Sequence, residues 1–187
     1  VIGADLTQEQ VNEVYRLFGV DRGYAKELLI TNAEERALLQ GVVQDSLLGT
    51  RAISCVFVEI YPPGGGINVS TCNINWCTPE MVMTALATAG ITDARVIVVA
   101  PFESPGTAAL AGIYKAYEDI TGQDIDGTAK DVGTQELTLT GELAEQIGNE
   151  DSMAIVNELK LILDETKNMS EEELLKQIDT IADSYKV

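Results

Sequence analysis

The chain has 187 residues, a formal net charge of −18 at pH 7 and no histidine. The strong negative charge opposes a nucleic-acid partner, because binding to a phosphate backbone requires a basic surface. The absence of histidine removes the commonest general base and the commonest transition-metal ligand, so most zinc-dependent and hydrolytic mechanisms are excluded.

The length suffices for one domain with a substantial core, or for a core domain with a helical appendage. No apolar run approaches the length of a membrane-spanning helix, which predicts that no transmembrane segment is present. The chain begins with Val1 rather than Met, so we expect that a targeting segment or another N-terminal stretch has been removed.

Two helix start signals lie in the first 40 residues. Residues 7–10 and 31–34 both have the spacing of a capping box, Thr followed three positions later by Gln or Glu. The first predicted helix ends at Gly19 and the second at about Gln40. The short apolar run 28–30 between them predicts a strand.

Three strand-like runs follow. Residues 52–61 and 67–76 are rich in β-branched and aromatic side chains, which predicts two strands. Residues 62–66, Pro-Pro-Gly-Gly-Gly, cannot continue a ladder, and we interpret them as the turn of a hairpin. Residues 94–100 are almost continuously apolar, as expected for a central strand that is covered on both faces and ends at Pro101.

Two helices flank the third strand. Thr78 combines an N-cap with a following proline, so a helix is predicted from there to about Ala89. Another helix follows the loop 102–106 and ends at Gly122. The first of them makes a crossover connection if the strands on either side of it run parallel. The predicted fold is therefore α+β, with a small mixed β-sheet, made of the hairpin and a parallel crossover strand, covered by helices.

The last quarter of the sequence is helical and highly charged. A short helix is predicted over residues 142–147, a longer one over 150–167, and a capping box at Ser170 opens the last. We therefore predict two parts. Residues 1–133 form an α/β core with N-terminal helices, and residues 134–187 form a helical C-terminal region that packs on the core or extends from it.

The predicted topology places three polar segments at one edge of the sheet, namely residues 50–51, 75–78 and 101–107. Two helix N-termini point their free N–H groups at this edge, and such termini favour anions. The candidate ligand-binding residues are Arg51 as an anion clamp, Asn75 and Thr78 as hydrogen-bonding groups, Trp76 as an apolar or stacking wall, and Glu103, Ser104 and Thr107 beside a helix N-terminus.

Each of these residues also has a structural interpretation. Thr78 and Ser104 are suitable helix caps, Arg51 can pair with a nearby carboxylate, and Trp76 can belong to the core. Catalysis is the weakest hypothesis, because the hydroxyl groups have no evident base beyond Glu103, whose pKa would have to be raised by burial. We predict no catalytic residue and no cofactor.

The three cysteines, Cys55, Cys72 and Cys77, have neither the spacing of a metal site nor that of a redox pair. The predicted hairpin brings Cys55 close to Cys72. A disulfide between these two is one interpretation, and free thiols are the other.

The polar stretch 122–133 faintly resembles a calcium-binding loop, with Asp124, Asp126 and Asp131 as candidate ligands. Alignment of Gly127 with the invariant glycine of such loops puts glycines at the first and last ligand positions. This mismatch favours a solvated loop with helix-capping aspartates.

A series of short blocks runs along the whole chain: GADLT (3–7), GTRAIS (49–54), W-x-TPEM (76–81), APF (100–102), GTAAL (106–110), KAYE (115–118), TGEL (140–143) and NELK (157–160). Together they resemble the YpuA-like family. The resemblance implies a protein of Gram-positive bacteria that carries a secretion signal, and therefore an extracellular or cell-envelope location after removal of the signal peptide. It also implies a longer carboxyl end than this chain has.

The family is a domain of unknown function, so it supplies no catalytic residues, and the cysteines depart from its usual pattern. We favour a non-enzymatic module that binds an envelope protein or a cell-wall component. The alternative is a small anionic-ligand site at the sheet edge, for binding or for hydrolysis. A third hypothesis is that the acidic surface collects calcium at the cell wall.

Overall fold

The computed structural model describes residues 1–186 and confirms an α+β fold. The strands are β1 (Ile2–Gly3), β2 (Leu29–Ile30), β3 (Cys55–Ile60), β4 (Ile67–Ile74) and β5 (Ala94–Ser104). The helices are α1 (Gln8–Phe18), α2 (Asn32–Leu39), α3 (Asp45–Leu48), α4 (Pro79–Thr88), α5 (Thr107–Thr121), α6 (Gly127–Ile147), α7 (Asn149–Leu161), α8 (Leu163–Thr166) and α9 (Glu171–Tyr185). Among the described residues, no helix is both long enough and apolar enough to span a bilayer.

The central sheet is mixed and has the strand order β3-β5-β4. β5 pairs antiparallel with β3 and parallel with β4, so the predicted parallel crossover is confirmed. The predicted hairpin is wrong, because β5 lies between the two strands that residues 62–66 connect. Burial explains this order. Val96, Val98 and Val99 of β5 are fully buried, and a strand whose side chains are buried on both faces is best placed at the centre of a sheet.

β5 also continues beyond Pro101, where the sequence predicts its end. Pairing with β3 stops at Val99, so the missing N–H of Pro101 falls beyond that ladder. On the other side, the register with β4 shifts around Asn73, whose side-chain amide donates to the carbonyl oxygen of Ala100 at 2.8 Å. The proline therefore occupies an irregular position that requires no ladder hydrogen bond from it.

Helix starts agree with the local signals in the sequence. Thr7, Thr31 and Ser170 form capping boxes, and Thr78 caps α4. These signals depend on spacing alone, so they can be recognised without tertiary context.

The segment after α5 differs from the prediction. α6 begins at Gly127, within the stretch predicted as a loop, and the longer helix predicted over 150–167 is divided into α7 and α8. Asp126 starts α6 by accepting a hydrogen bond from the backbone N–H of Ala129 at 3.0 Å. Gly133 lies inside α6, at a point where a Cβ would come within 2.6 Å of the carbonyl oxygen of Ala85 in α4. Glycine at this position therefore allows α6 and α4 to approach each other closely.

Helices cover both faces of the central sheet. α1 packs Val14 and Phe18 against Cys55 and Phe57 on one face. The side chain of Val56 points to the opposite face because strand residues alternate. On that face Gly112 of α5 approaches Val56 closely.

The chain divides into two compact units, residues 1–138 and a second unit from Leu139 onwards. The first contains both sheets. Within the second, Ile155, Val156 and Ile181 are buried, and the hydroxyl of Tyr185 donates to Glu158 at 3.0 Å. The domain boundary that the sequence suggests, between residues 133 and 134, stays a prediction.

Candidate ligand-binding site

A cleft of about 250 Å³ opens where β5 ends and α5 begins. Its walls come from α3 and the segment that follows it, from the end of β5 with the loop to α5, and from the first turn of α5. Four of the candidate residues line this cleft: Arg51, Glu103, Ser104 and Thr107. The structure thus brings together two of the three polar segments named from the sequence.

The third segment, residues 75–78, supports the cleft from outside. The backbone N–H of Asn75 donates to Ser104, and that of Cys77 donates to Pro105, both at 3.0 Å. The hydroxyl of Thr78 accepts from the backbone N–H of Met81, so it serves as the N-cap of α4. Trp76 is half-buried. The residues that line the cleft do not include Asn75, Trp76 or Thr78.

Arg51 lies at the exposed rim of the cleft. One guanidinium nitrogen donates to the carbonyl oxygen of Asp5 at 2.9 Å, and the Asp5 carboxylate accepts from the backbone N–H of Ala52 at 2.7 Å. These two bonds fix the position of Arg51. Because a guanidinium has five N–H donors, the bond to Asp5 leaves it able to bind an anion as well.

The floor of the cleft holds a buried acid, Glu35 on α2, whose residue is only 1% exposed. One carboxyl oxygen lies 2.6 Å from the hydroxyl of Thr107, and the other accepts from the side-chain amide of Asn32 at 3.0 Å. Burial raises the pKa of Glu35, against the opposing effects of the hydrogen bonds from Thr107 and Asn32 and of the nearby Arg36 charge.

The protonated form of Glu35 fits these contacts. The Thr107 hydroxyl lies 3.3 Å from the carbonyl oxygen of Leu47 as well as 2.6 Å from Glu35. While Glu35 is ionised, the Thr107 hydroxyl donates to its carboxylate. Once Glu35 is protonated, it donates to the Thr107 oxygen, and Thr107 then donates to Leu47. Each hydrogen in this series of hydrogen bonds then has an acceptor, which is the condition for burying polar groups without a large free-energy penalty.

A second buried hydroxyl helps to organise the floor. The N-cap residue of α5 is Gly106, which has no side chain to cap the helix, and Ser54 compensates by accepting from the backbone N–H of Ala109 at 3.0 Å. Of the seven buried polar or charged residues in the part of the chain that the structure describes, three line this cleft: Glu35, Ser54 and Thr107. A cleft with convergent polar groups is the usual form of a small-ligand site.

Glu35 is absent from the candidates drawn from the sequence, although a signal for it exists. It lies four residues before Leu39, which is almost fully buried, so both lie on the inward stripe of α2. Its neighbour Glu34 points outward, where it completes the capping box and pairs with Lys115. A glutamate in register with the apolar stripe of its helix is therefore the pattern that identifies this residue.

Of the two interpretations of the cysteines, the structure agrees with free thiols and not with a Cys55–Cys72 disulfide. Cys55 and Cys72 are both paired in register with Val99, one from each side, so they are two strand spacings, about 10 Å, apart. A disulfide requires Cα atoms roughly 4.4–6.8 Å apart. All three thiols are free, and burial raises the pKa of Cys55 to about 11 and that of Cys77 to about 12.

The calcium candidates do not gather into a site. Asp126 caps α6, and Asp124 and Asp131 are exposed to solvent. Across residues 1–186, no group of three or more metal-binding side chains has a geometry suited to holding a metal ion.

Comparison with known proteins adds a family but no activity. Residues 2–187 match the family described as "Protein of unknown function (DUF1002)". The chain is 42% identical over 159 residues to "Uncharacterized protein YpuA" of Bacillus subtilis (strain 168), an alignment that covers 85% of this chain and 54% of that relative. The chain thus spans about half the length of the curated relative it matches, and no solved structure matches it significantly. It belongs to the DUF1002 family of proteins of unknown function.

Proposed function

We propose that this chain is a non-enzymatic binding module of the cell envelope or the extracellular space, and that the cleft between β5 and α5 is its binding site. The ligand we propose is a small polar molecule that carries a carboxylate or phosphate group, such as a cell-wall fragment. The observation that carries this proposal is the convergence of Glu35, Ser54 and Thr107 on the floor of one cleft whose rim carries Arg51.

The polar floor favours a ligand site over a purely structural depression. Burying polar side chains costs free energy unless each is paired, and apolar packing would fill the same space without that cost. Among the described residues that line the cleft, Arg51 is the only cationic one. A guanidinium binds carboxylate and phosphate groups through two parallel hydrogen bonds, so Arg51 supports an anionic group on the ligand.

The same geometry supports binding rather than catalysis. Thr107 and Glu35 have the chemistry of a nucleophile and its base, but they are only 5% and 1% exposed. The Thr107 hydroxyl lies between Glu35 and Leu47, and Ser54 accepts a backbone hydrogen bond. A nucleophile must be free to attack the reacting atom of its substrate, and each of these hydroxyl groups is already engaged in hydrogen bonds within the protein.

The proposed location rests on the family resemblance and on the acidic composition. A chain with a net charge of −18 repels anionic surfaces unless a cation bridges them, which suits a soluble module outside the membrane. Fractionation of the native host followed by immunoblotting tests this location. The protein is expected in the culture medium or the wall fraction, and recovery with cytosolic markers alone would contradict the proposal.

A thermal-shift screen tests the binding site. The panel contains cell-wall fragments, nucleotides, amino acids and divalent cations, measured with the unsubstituted protein, Arg51→Ala and Arg16→Ala. Arg16 is the matched control, because it is an exposed arginine on α1 that pairs with Glu13 and does not line the cleft. A ligand at 100 times its Kd stabilises the protein by about 2.7 kcal/mol, which for a chain of this size corresponds to roughly 5–10 °C in Tm.

We expect an anionic cell-wall fragment to raise the Tm of the unsubstituted protein and of Arg16→Ala, and to have little effect on Arg51→Ala. An equal shift in all three proteins would remove Arg51 from the site. If no compound on the panel shifted the unsubstituted protein, the cleft would lose its proposed ligand class. A macromolecular partner, sought by pull-down from the envelope, would then be the better hypothesis.

A further inference from the structure

The cleft between β5 and α5 opens where two paired strands separate. β3 and β5 are paired in antiparallel register as far as Cys55 and Val99, and the ladder stops there. The chain just before β3 pairs instead with the segment that precedes α1, since the N–H of Asp5 donates to the carbonyl oxygen of Ala52 at 3.4 Å. Residues from both diverging segments line the cleft.

β5 bulges at the same place. Its residues Val99 and Ser104 are paired with Cys72 and Ile74 of β4, so an interval of five residues on β5 faces an interval of two on β4. The extra residues include Glu103, which is exposed and lines the cleft. Bulges are common beside binding and active sites, where they redirect a side chain.

Arg51 and Glu103 line the cleft from the two diverging segments and do not neutralise each other. Where β3 and β5 are paired, opposite charges on the two strands do meet, because Glu59 and Arg95 are cross-strand partners joined by an ion pair of 3.7 Å. Across residues 1–186, no ion pair involves Arg51 or Glu103. The cleft therefore offers both a cation and an anion to a ligand.

We propose that this cleft binds a small zwitterion with an apolar side chain, which is the chemistry of a free amino acid or of a short peptide with free termini. The carboxylate of the ligand pairs with Arg51, and its ammonium group pairs with Glu103. This inference rests on the function proposed above, because it takes the cleft as the binding site and names the class of its ligand.

The cleft also provides a surface for the apolar side chain. Leu47, Ile53 and Phe102 line it together with the two charged residues, and Phe102 is 45% exposed. A ligand that covers this ring removes apolar area from water, which favours binding. The cleft volume of about 250 Å³ lies below the range of about 300–1,000 Å³ that is usual for drug-sized ligands, so it suits a molecule of roughly amino-acid size.

The charge of the chain favours a zwitterion over an anion of higher charge. With a net charge of −18, the chain repels anions at long range, whereas a zwitterion has no net charge and approaches without this cost. Glu103 would repel a phosphate or a dicarboxylate bound at Arg51. For a zwitterion, the same carboxylate becomes a binding partner.

Isothermal titration of the whole chain with L-leucine, N-acetyl-L-leucine and L-leucinamide tests the proposal. The titration is run at about pH 6.5, where a free α-amino group is protonated. Each analogue lacks one charge of the zwitterion and leaves Glu103 or Arg51 without a partner. We therefore expect leucine to bind at least about tenfold more tightly than either analogue.

Glu103→Gln separates an ammonium contact from a structural role of this residue. The variant should bind leucine about tenfold more weakly and N-acetyl-L-leucine as before, because only the partner of the ammonium group is lost. A merely structural role would weaken both ligands alike. Glu59→Gln is the matched control, because it removes the same charge from β3 outside the cleft and should keep the preference for leucine.

Alanyl-leucine in the same titration distinguishes the two sources of this chemistry: tighter binding than leucine would indicate peptides, and weaker binding would indicate free amino acids. The proposal is overturned if N-acetyl-L-leucine binds as tightly as leucine, or if Glu103→Gln keeps the preference for leucine. A carboxylate site at Arg51 would still stand in both cases. The proposal also fails if neither leucine nor alanyl-leucine binds, and the thermal-shift screen with anionic cell-wall fragments then decides the proposed function separately.

Discussion

The buried acid Glu35 leads to a prediction about stability and pH. Because burial raises its pKa above the ordinary value of 4.5, the folded chain holds this proton more tightly than the unfolded chain does. The resulting contribution to the free energy of unfolding is fully present below pH 4.5 and is lost as the pH rises through the folded pKa. For one proton, the loss is at most about 1.4 kcal/mol per pH unit.

Glu35→Gln isolates this contribution. The amide nitrogen replaces the protonated oxygen and donates to Thr107, and the amide oxygen accepts from Asn32, so the buried contacts are retained at every pH. We expect the variant to match the unsubstituted protein near pH 4.5 and to be more stable at pH 8. The gain should be roughly 1.4 kcal/mol for each unit by which the folded pKa exceeds 4.5.

Urea unfolding followed by circular dichroism between pH 4.5 and pH 8 provides the assay. The difference between the two proteins is the relevant quantity, because the other carboxylates of this acidic chain contribute to both curves alike. Glu35→Ala should lose about 2–4 kcal/mol throughout, because it leaves a cavity and unpaired polar groups.

The adjacent Glu34 gives a control of opposite sign. Its hydrogen bond and ion pair with Lys115, together with hydrogen bonds from Thr31, lower its pKa to about 2. Its stabilising contribution is therefore present above pH 4.5 and is lost as the pH falls towards 2. Because the side chain is 43% exposed, the loss in Glu34→Gln at neutral pH should stay within about 1 kcal/mol. A stability difference between Glu35→Gln and the unsubstituted protein that did not change with pH would refute the role assigned to Glu35.

Three further predictions concern the cap of α4, a helix contact and the thiols. Thr78→Ala should lower the free energy of unfolding by about 1 kcal/mol, measured in urea, and leave ligand affinity at the cleft unchanged, whereas Thr78→Ser should be neutral. Gly133→Ala should lower the free energy of unfolding by about 2 kcal/mol or more despite the better helix propensity of alanine, because the added Cβ would meet a carbonyl oxygen of α4. Gly127→Ala is the control: its Cβ would meet no atom within 4 Å, so this substitution should not destabilise the fold. Mass spectrometry after iodoacetamide treatment at pH 7.5 should show that the half-buried Cys72 reacts first and that the other two cysteines react only after unfolding.

Local signals in the sequence were sufficient for the helix starts, and the errors arose where distant segments decide the structure. A capping box is complete within four residues, so Thr31 and Ser170 could be read directly. The hairpin prediction failed because strand order depends on which run most needs burial on both faces. The apolar run 94–100 identified β5 as central, but its insertion between β3 and β4 required a comparison of all three strands.

The same distinction between local signals and contacts of distant segments applies to the candidate site. Thr107 could be placed at the sheet edge because it follows β5 directly. The expected antiparallel direction of β3 placed Arg51 at the same edge, and β3 does run antiparallel to its neighbour, although that neighbour is β5 rather than β4. Composition does not distinguish Glu35 from its exposed neighbour Glu34, and only the register of Glu35 with Leu39 on the inward stripe of α2 does so. Its burial follows from the packing of α2 against α5, which joins residues 72 positions apart in the sequence.

The most direct test of the proposed binding site is an NMR titration of the isotope-labelled chain with the cell-wall fragment that gives the largest thermal shift. If the cleft binds this ligand, perturbed amide signals will cluster in residues 46–54 and 102–108, and Arg51→Ala will abolish them. Saturable perturbations confined to residues 139–186, or an unchanged response in Arg51→Ala, would contradict the account.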